Sequence, residues 1–245
     1  MGLSCPAGYD RSVAGQFVMV RPSGQHAPLL ARPFSIYGRL KENGAVVGIE
    51  LLIKIVGEGT RQLAGLTKGA PVGLLGPLGT GFSSLSNSGR CFLVAGGIGI
   101  APIAFLATTM IGRGLSAGQC EVVIGGRSAT DLVGLDRLYS LGIPVHRVTE
   151  DGSVGQKGVV TGCVKEMMDH RRPEGIYACG PHAMLAALAE MAQSRKIPCQ
   201  VSIEAMMGCG MGVCLSCVVP ARHAAVPYRH VCSEGPVFDS REIQF

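Results

Sequence analysis

The sequence predicts a mixed β and α/β architecture in three parts: an N-terminal antiparallel β-barrel, a five-stranded parallel α/β domain and a small C-terminal cysteine-bearing segment. Three observations carry that reading. Short apolar segments separated by Gly, Pro and Asn clusters fill residues 13–86, as regularly spaced short strands do. From Arg90 onward strand-like apolar segments alternate with helical ones, the rhythm of a parallel sheet with crossover helices. Beyond them, Cys209, Cys214, Cys217 and Cys232 crowd a glycine-rich stretch and its sequel. The parts are expected at 1–88, 89–204 and 205–245.

In the first part Gln16–Val20, Pro33–Arg39, Ala45–Val56 and Pro71–Leu75 read as strands of a small barrel or sandwich. In the second, Cys91–Ala95 is a buried strand that leads through a glycine turn into a helix over Pro102–Gly112. Glu121–Ile124 is the next strand, and Ser128-x-x-Asp131 is a capping box for a helix running toward Leu141. Val145–Val148, a helix near Gly158–His170, Gly175–Cys179, a helix near Pro181–Arg195 and Gln200–Ile203 complete five strands and four helices.

Composition narrows the function. Hydrophobic residues make up 47% of the 245 and charged residues 16%, so most of the length is packed core. The net charge of +5 has no basic run behind it, and with no Trp, seven Phe and five Tyr the chain lacks a nucleic-acid face. Ten cysteines do not signal a secreted disulfide framework, because Met1–Pro6 has no basic or long apolar leader. Cys5, Cys91, Cys120, Cys163, Cys179 and Cys199 mostly sit in apolar segments, where a reduced Cys behaves as a small hydrophobe. A reducing cytoplasm is expected. No apolar run is long enough for a bilayer, so no membrane is expected.

The four C-terminal cysteines follow C-x4-C-x2-C-x14-C. C-x4-C-x2-C with a distant fourth Cys is the plant-type [2Fe–2S] spacing, and it marks an electron carrier. Glycines 208, 210 and 212 allow the loop's N–H groups to approach cluster sulfurs. Four thiolates also suit structural zinc, although zinc motifs more often pair two short hooks.

Two strand-end turns look built for phosphate. Gly96, Gly97 and Gly99 follow a strand, and Pro102 suits the first turn of the next helix, whose free N–H groups and dipole favour an anion. Cys179, Gly180 and Pro181 repeat that logic after a later strand. In an open parallel sheet, ligands gather outside the carboxyl ends of the strands, so the two turns can face one another across a dinucleotide. A bare strand–helix turn is the alternative in each case. In the β-rich part, Arg32 offers a fork for a pyrophosphate, Pro33 a stiff strand edge, Phe34 a stacking face and Ser35 a hydroxyl. Gly59 and Thr60, in Gly57-Glu58-Gly59-Thr60, suit a phosphate turn. Ordinary strand and ordinary turn are their bland readings. Arg127-Ser128, after the second strand, could hold a 2′-phosphate or be a solvated loop.

Together these motifs resemble the ferredoxin–NADP reductase superfamily from Gly15 to Phe245. With Met207–Val219 and Cys232-x-x-Gly235-Pro236-Val237-Phe238, the chain looks specifically like the electron-transfer subunits of NAD-dependent, type B dihydroorotate dehydrogenase. The resemblance implies a flavin-binding barrel holding FAD at Arg32–Ser35, at Leu52, Ile53 and Lys54, and at Gly59-Thr60. It implies a Rossmann-like nicotinamide domain holding NAD at Gly96–Pro102 and Cys179–Pro181, and a [2Fe–2S] cluster on Cys209, Cys214, Cys217 and Cys232. The partner implied is an FMN-containing dihydroorotate dehydrogenase catalytic subunit in a two-plus-two heterotetramer, serving pyrimidine synthesis. Electrons would pass from that subunit through the cluster and FAD to NAD+. Consistent with a carrier, no catalytic base constellation is found within the chain. Similar modules serve hydrogenases, sulfite reductases and transhydrogenases, and a zinc-stabilised non-redox binding protein is a rival from another class. Family members usually begin with a further strand, and Met1–Val13 reads poorly as one. The barrel is therefore expected to miss that strand.

Overall fold

A computed structural model describes residues 1–24, 28–83, 89–222 and 225–245. Residues 84–88, at the end of the expected first part, lie outside the described residues. The N-terminal half-barrel consists of β1 (Gly2–Ser4), β2 (Phe17–Pro22), β3 (Arg32–Glu42), β4 (Ala45–Leu51), helix α1 (Glu58–Ala64) and β5 (Val72–Leu78). Its order is β1-β4-β3-β2-β5, antiparallel throughout, with β1 and β5 at the open edges. Asn43 and Gly44, both at positive φ, make the two-residue turn between β3 and β4, a turn whose twist matches the strands.

The first strand is present after all. Gly2–Ser4 pairs with Gly48–Glu50, and backbone bonds from Cys5 N to Val47 O (3.0 Å) and Leu51 N to Met1 O (2.8 Å) extend the ladder. Backbone pairing at an edge requires no apolar alternation, which is why the sequence did not betray it. The predicted strand Ala45–Val56 stops at Leu51, because Lys54, Ile55 and Val56 turn out to solvent at the mouth of a cavity.

The second sheet begins with β6 (Cys91–Gly96), helix α2 (Ile100–Gly112), β7 (Cys120–Gly126), α3 (Asp136–Ser140) and β8 (Val145–Thr149). It continues with β9 (Gln156–Lys157), α4 (Val160–His170), β10 (Gly175–Cys179), α5 (His182–Ser194) and β11 (Cys199–Ser202). All five predicted parallel strands are found. Two edge strands were not foreseen: the two-residue β9, and β14 (Val237–Asp239), which returns from the C-terminal segment antiparallel to β11. The order is β14-β11-β10-β6-β7-β8-β9. The chain thus proceeds outward from β6 to β9 and then jumps back to the other side of β6. That reversal lies between β6 and β10. Between β11 and β14, a hairpin of β12 (Val218–Pro220) and β13 (Tyr228–His230) projects from the sheet.

β6 and β10 are buried nearly throughout, as central parallel strands covered on both faces are. On one face Phe92, Val94 and Val123 pack against Val164, Leu185 and Leu188 of α4 and α5. On the other, Leu93, Ala95, Val122 and Ile124 share a core with α2 and with Val18, Val20, Ile36 and Ile49 of the half-barrel. Residues Ile100–Ala107 of α2 are all buried, because this helix is wedged between the sheet and β3.

The Ser128 capping box does not form. The Ser128 hydroxyl bonds Thr130 Oγ1 (2.8 Å), Ala129–Asp131 is a single 3-10 turn, and α3 starts only at Asp136. The Asp131 carboxylate is drawn instead to Lys54 across the cleft.

Arg137 of α3 joins the two halves. It meets Glu50 at 2.6 Å, donates to the Tyr37 carbonyl at 2.5 Å and stacks 3.8 Å from the centroid of the Tyr37 ring. Its side chain is 20% exposed and that of Glu50 32%, so solvent screens the pair only in part. Arg137→Met should therefore cost about 2 kcal/mol and lower the thermal midpoint by roughly 5 °C. Differential scanning calorimetry checks this; an unchanged midpoint would show that Arg137 contributes nothing to the junction.

Candidate functional site

Two cavities lie at the carboxyl ends of the parallel strands and share a wall. The first, about 410 Å³, opens between the half-barrel and the sheet. The second, about 710 Å³, lies over the β6–β10 reversal, where ligands of open α/β sheets bind. Lys54, Ile98 and Glu204 line both.

In the first cavity, β3 enters at Arg32 and pairs with β2 through Ser35↔Phe17 and Phe34↔Val18. Arg32, Pro33, Phe34 and Ser35 line the wall, together with Leu52, Lys54, Gly59 and Thr60. Ile53 does not line the cavity; it packs on the core, as Leu52 does in part. Far apart in sequence, Gly59 and Arg32 are neighbours in space, since a Cβ on Gly59 would lie 4.0 Å from Arg32 Nε. The Thr60 hydroxyl is already engaged: it accepts from Val56 N (2.9 Å) and Gly57 N (3.1 Å) and donates to Gly57 O (2.9 Å). Its part is to shape the turn. Arg32 Nη1 donates to Leu30 O at 2.8 Å.

The second cavity is ringed by three helix N-termini: Gly97 and Ile98 at α2, Gly158–Thr161 at α4, and Pro181 and Ala183 at α5. Convergent free N–H groups and dipoles make this an anion-binding surface. Gly96, Gly97, Gly180 and Pro181 line it. Gly99, Pro102 and Cys179 stand behind it, buried. A Cβ on Gly99 would lie 2.3 Å from the Cys179 carbonyl oxygen, so the two turns touch backbone to backbone. Burial pushes the Cys179 thiol up to about 12, a poor nucleophile.

Charge is concentrated at the shared wall and beside it. Lys54 Nζ meets Asp131 Oδ1 at 2.8 Å, and Arg127 gives Asp131 Oδ2 its backbone N–H (3.1 Å) and its Nε (3.4 Å). The Lys54 and Arg127 hydrogen bonds hold the Asp131 carboxyl at about 2. Glu204, just past β11, is reached by solvent along the cleft, yet the walls around its carboxyl desolvate it and raise its pKa.

The cysteine loop starts at the rim of the first cavity, since Ala205 and Met207 line it and Cys209 follows. The β12–β13 hairpin pairs Val218 with His230, which sets Cys217 beside Cys232. Val231 N bonds Cys217 O at 2.7 Å and Cys232 N points to Cys217 Sγ at 3.4 Å. On the loop, Met211 N and Cys214 N each donate to Cys209 Sγ (3.4 Å), and Gly212 N donates to Cys232 Sγ (3.0 Å). The thiols therefore meet in pairs, Cys209 with Cys214 and Cys217 with Cys232. The Ser216 hydroxyl and backbone, then Cys209, hold the Cys214 thiol down at about 6. Cys217 and Cys232 are buried and Cys214 is exposed. Among the described residues no three His, Cys, Asp or Glu side chains gather as ligands of one ion.

Sequence reasoning missed the α4 terminus, Glu150 and the Ser202–Ala205 segment. The last could have been found, since it follows a parallel strand at the edge where ligands collect.

Comparison with known proteins matches residues 204–244 to the iron–sulfur cluster binding domain of dihydroorotate dehydrogenase B, and residues 93–190 to the oxidoreductase NAD-binding domain. The electron transfer subunit of dihydroorotate dehydrogenase B (NAD(+)) from Desulforamulus reducens is 36% identical over 95% of this chain and 87% of its own length. That from Listeria monocytogenes is 36% identical over 94% and 86%. Among solved structures, that of an NADH-dependent reduced ferredoxin-NADP oxidoreductase superposes with a TM-score of 0.83, at 25% identity over 99% of this chain and 83% of the other. A ferredoxin reductase of carbazole 1,9a-dioxygenase (TM-score 0.61, 21% identity, 77% and 58% covered) shares the fold.

Gly99→Ala should drive the two turns apart by about 1 Å and weaken NADH binding by about tenfold or more. Titration of NADH against the purified chain checks this. Unchanged affinity would show that the turn contact does not position the nucleotide.

Proposed function

Because the chain belongs to the family of dihydroorotate dehydrogenase B electron transfer subunits, oxidoreductase subunits with an NAD-binding and an iron–sulfur cluster-binding domain, we propose that it conducts electrons from an FMN-containing catalytic subunit, through a [2Fe–2S] cluster and FAD, to NAD+. When bound, the cluster supplies one-electron transfer, the flavin converts between one- and two-electron transfer, and the nicotinamide accepts a hydride. The observation that carries this reading is continuity. The cysteine loop begins at the first cavity, which shares Lys54, Ile98 and Glu204 with the second.

The residues divide the work accordingly. Phe34 and Leu52 offer apolar walls to a flavin ring, Ser35 a hydroxyl to its edge, and Arg32 a cation to its pyrophosphate. Gly96–Ile98, Gly158–Thr161 and Gly180-Pro181 present main-chain N–H groups to the dinucleotide phosphates. The thiols meet two and two rather than four at one point, an arrangement that suits the two irons of a cluster better than a single zinc ion. N–H groups of residues 211, 212, 214 and 232 aim at three of the four sulfurs and would stabilise the reduced, more negative state. The three segments 1–88, 89–204 and 205–245 are assigned to FAD, NAD and cluster.

Around the cysteines, Met206, Met211, Val213 and Leu215 are apolar and exposed. We assign that face to the catalytic subunit, in a two-plus-two assembly, because an exposed apolar patch beside the electron entry suits a partner. No residue here is assigned to dihydroorotate itself. Among the described residues no helix is long and apolar enough to cross a membrane.

Two outcomes are expected. In an anaerobic assay, NADH should form from dihydroorotate and NAD+ only when this chain is mixed with the FMN-containing catalytic subunit, while the chain alone reduces dyes with NADH. Oxidation of dihydroorotate by the lone chain would overturn the relay; failure of the mixture, with flavin and cluster in place, would reassign the partner. Cys214→Ser should abolish the electron paramagnetic resonance signal of the reduced cluster and retain flavin absorbance. An unchanged signal would remove Cys214 from the ligand set.

A further inference from the structure

We propose that Asp131 sets the dinucleotide preference of the second cavity, holding Arg127 so that a 2′-phosphate is refused. This rests on the nicotinamide reading of that cavity and adds the residue that makes the choice. In a parallel nucleotide-binding sheet, the residue after the strand next to the glycine-turn strand faces the adenosine ribose. An acid there receives the 2′-hydroxyl, and an Arg receives a 2′-phosphate. Here the strand is β7, beside β6, and the residue after it is Arg127, which lines the cavity. By that rule alone the cavity should accept the phosphorylated dinucleotide.

Asp131 reverses the sign. The 3-10 turn Ala129–Asp131 folds its carboxylate back over the end of β7, where a Cβ on Gly126 would lie 2.6 Å from Asp131 Cβ. Oδ2 receives the Arg127 backbone N–H at 3.1 Å and its Nε at 3.4 Å, while Oδ1 takes Lys54. The Nε edge of the guanidinium, one of the two edges that can grip a phosphate with two bonds, is therefore taken up by a carboxylate. The Asp131 side chain is 13% exposed, while its partners Lys54 and Arg127 are 47% and 78% exposed, so water screens the cluster in part. The cavity also carries Glu150, and Glu204 at its inner end, so three carboxyl groups stand against two cations. A dianionic 2′-phosphate entering beside Asp131 meets repulsion that a 2′-hydroxyl does not. The pyrophosphate is placed elsewhere, at the helix N-termini, and is common to both dinucleotides.

The test compares NADH and NADPH as donors to ferricyanide in the flavin-loaded chain. Asp131→Asn keeps the shape and removes the charge. It should raise the ratio of NADPH to NADH kcat/KM by about tenfold, through a lower KM for NADPH, and adding Arg127→Ala should cancel the gain. Taking the ratio within one protein cancels any loosening of the Lys54 contact, which both donors share. An unchanged ratio would overturn the proposal. So would a lower ratio, which would mean that Asp131 aims Arg127 at a phosphate. If Asp131→Asn does not fold, Arg127→Ala alone decides: the ratio should move less than twofold if Asp131 already withholds Arg127, and a larger fall would overturn the idea. Failure of the unmodified chain to oxidise either dinucleotide would instead sink the nicotinamide reading.

Discussion

The cleft depends on a contact with no room for a side chain. At the end of β6 the turn through Gly96 and Gly99 lies against the turn through Cys179 and Gly180 at the end of β10. A Cβ at Gly99 would sit 2.3 Å from a carbonyl oxygen, and one at Gly180, where φ is +159°, would sit 2.9 Å from the Gly96 Cα. Packing of this kind brings two helix N-termini to one place, because α2 and α5 start directly from these turns. β6 and β10 are neighbours with parallel register, Cys179 opposite Ala95, so both turns leave the sheet at the same height. The reversal of strand order fixes where a ligand goes, and the absence of side chains fixes how closely it is approached.

The C-terminal segment is tied into this frame by backbone bonds on both sides. β14 closes the sheet edge beside β11, and Ile203 N bonds Pro236 O at 2.9 Å. Thr80, just beyond β5, donates its N–H to Gly235 O at 2.6 Å and its hydroxyl to Glu234 O at 3.1 Å. Gly210 packs on Met19 and Leu78 of the half-barrel. The thiols of Cys217 and Cys232 are therefore fixed by a hairpin and a core, whereas Cys209 and Cys214 ride on a loop whose Leu215 takes φ +57°. Such a left-handed non-glycine residue is held only where its surroundings over-determine it. Backbone N–H groups point at the sulfurs of Cys217 and Cys232 on the hairpin side and of Cys209 on the loop.

What was legible in the sequence was whatever had a period or a spacing. The five parallel strands announced themselves by apolar runs, and the cysteines by their intervals. Leu52 and Lys54 fell on the cavity while Ile53 did not, because a resemblance names a stretch and not the side chains within it that face a cavity. Edge elements escaped: β1, β9 and β14 have two or three residues each and are held by backbone pairing that side-chain pattern does not encode. Ser128 and Asp131 were misread for a related reason. The local pattern was that of a capping box, but a lysine 77 residues away in sequence competes for the carboxylate. Lys54 and the Arg127 backbone N–H together hold the carboxylate away from the Ser128 N–H that a capping box requires.

The two halves of the molecule are held by different physics at different depths. Deep in the junction, residues Ile100–Ala107 of α2 are apolar and buried between sheet and half-barrel, a contact that water does not reach. Farther out, Arg137 spans from α3 to Glu50 and Tyr37, partly shielded. At the mouth, Lys54 and Asp131 span the cleft where Lys54 is 47% exposed, and exposure of that degree leaves such a pair only weakly stabilising. Shielding from water thus declines from the base of the junction to its lip, and the Lys54–Asp131 pair, the least shielded of the three, is the one that also lines the second cavity.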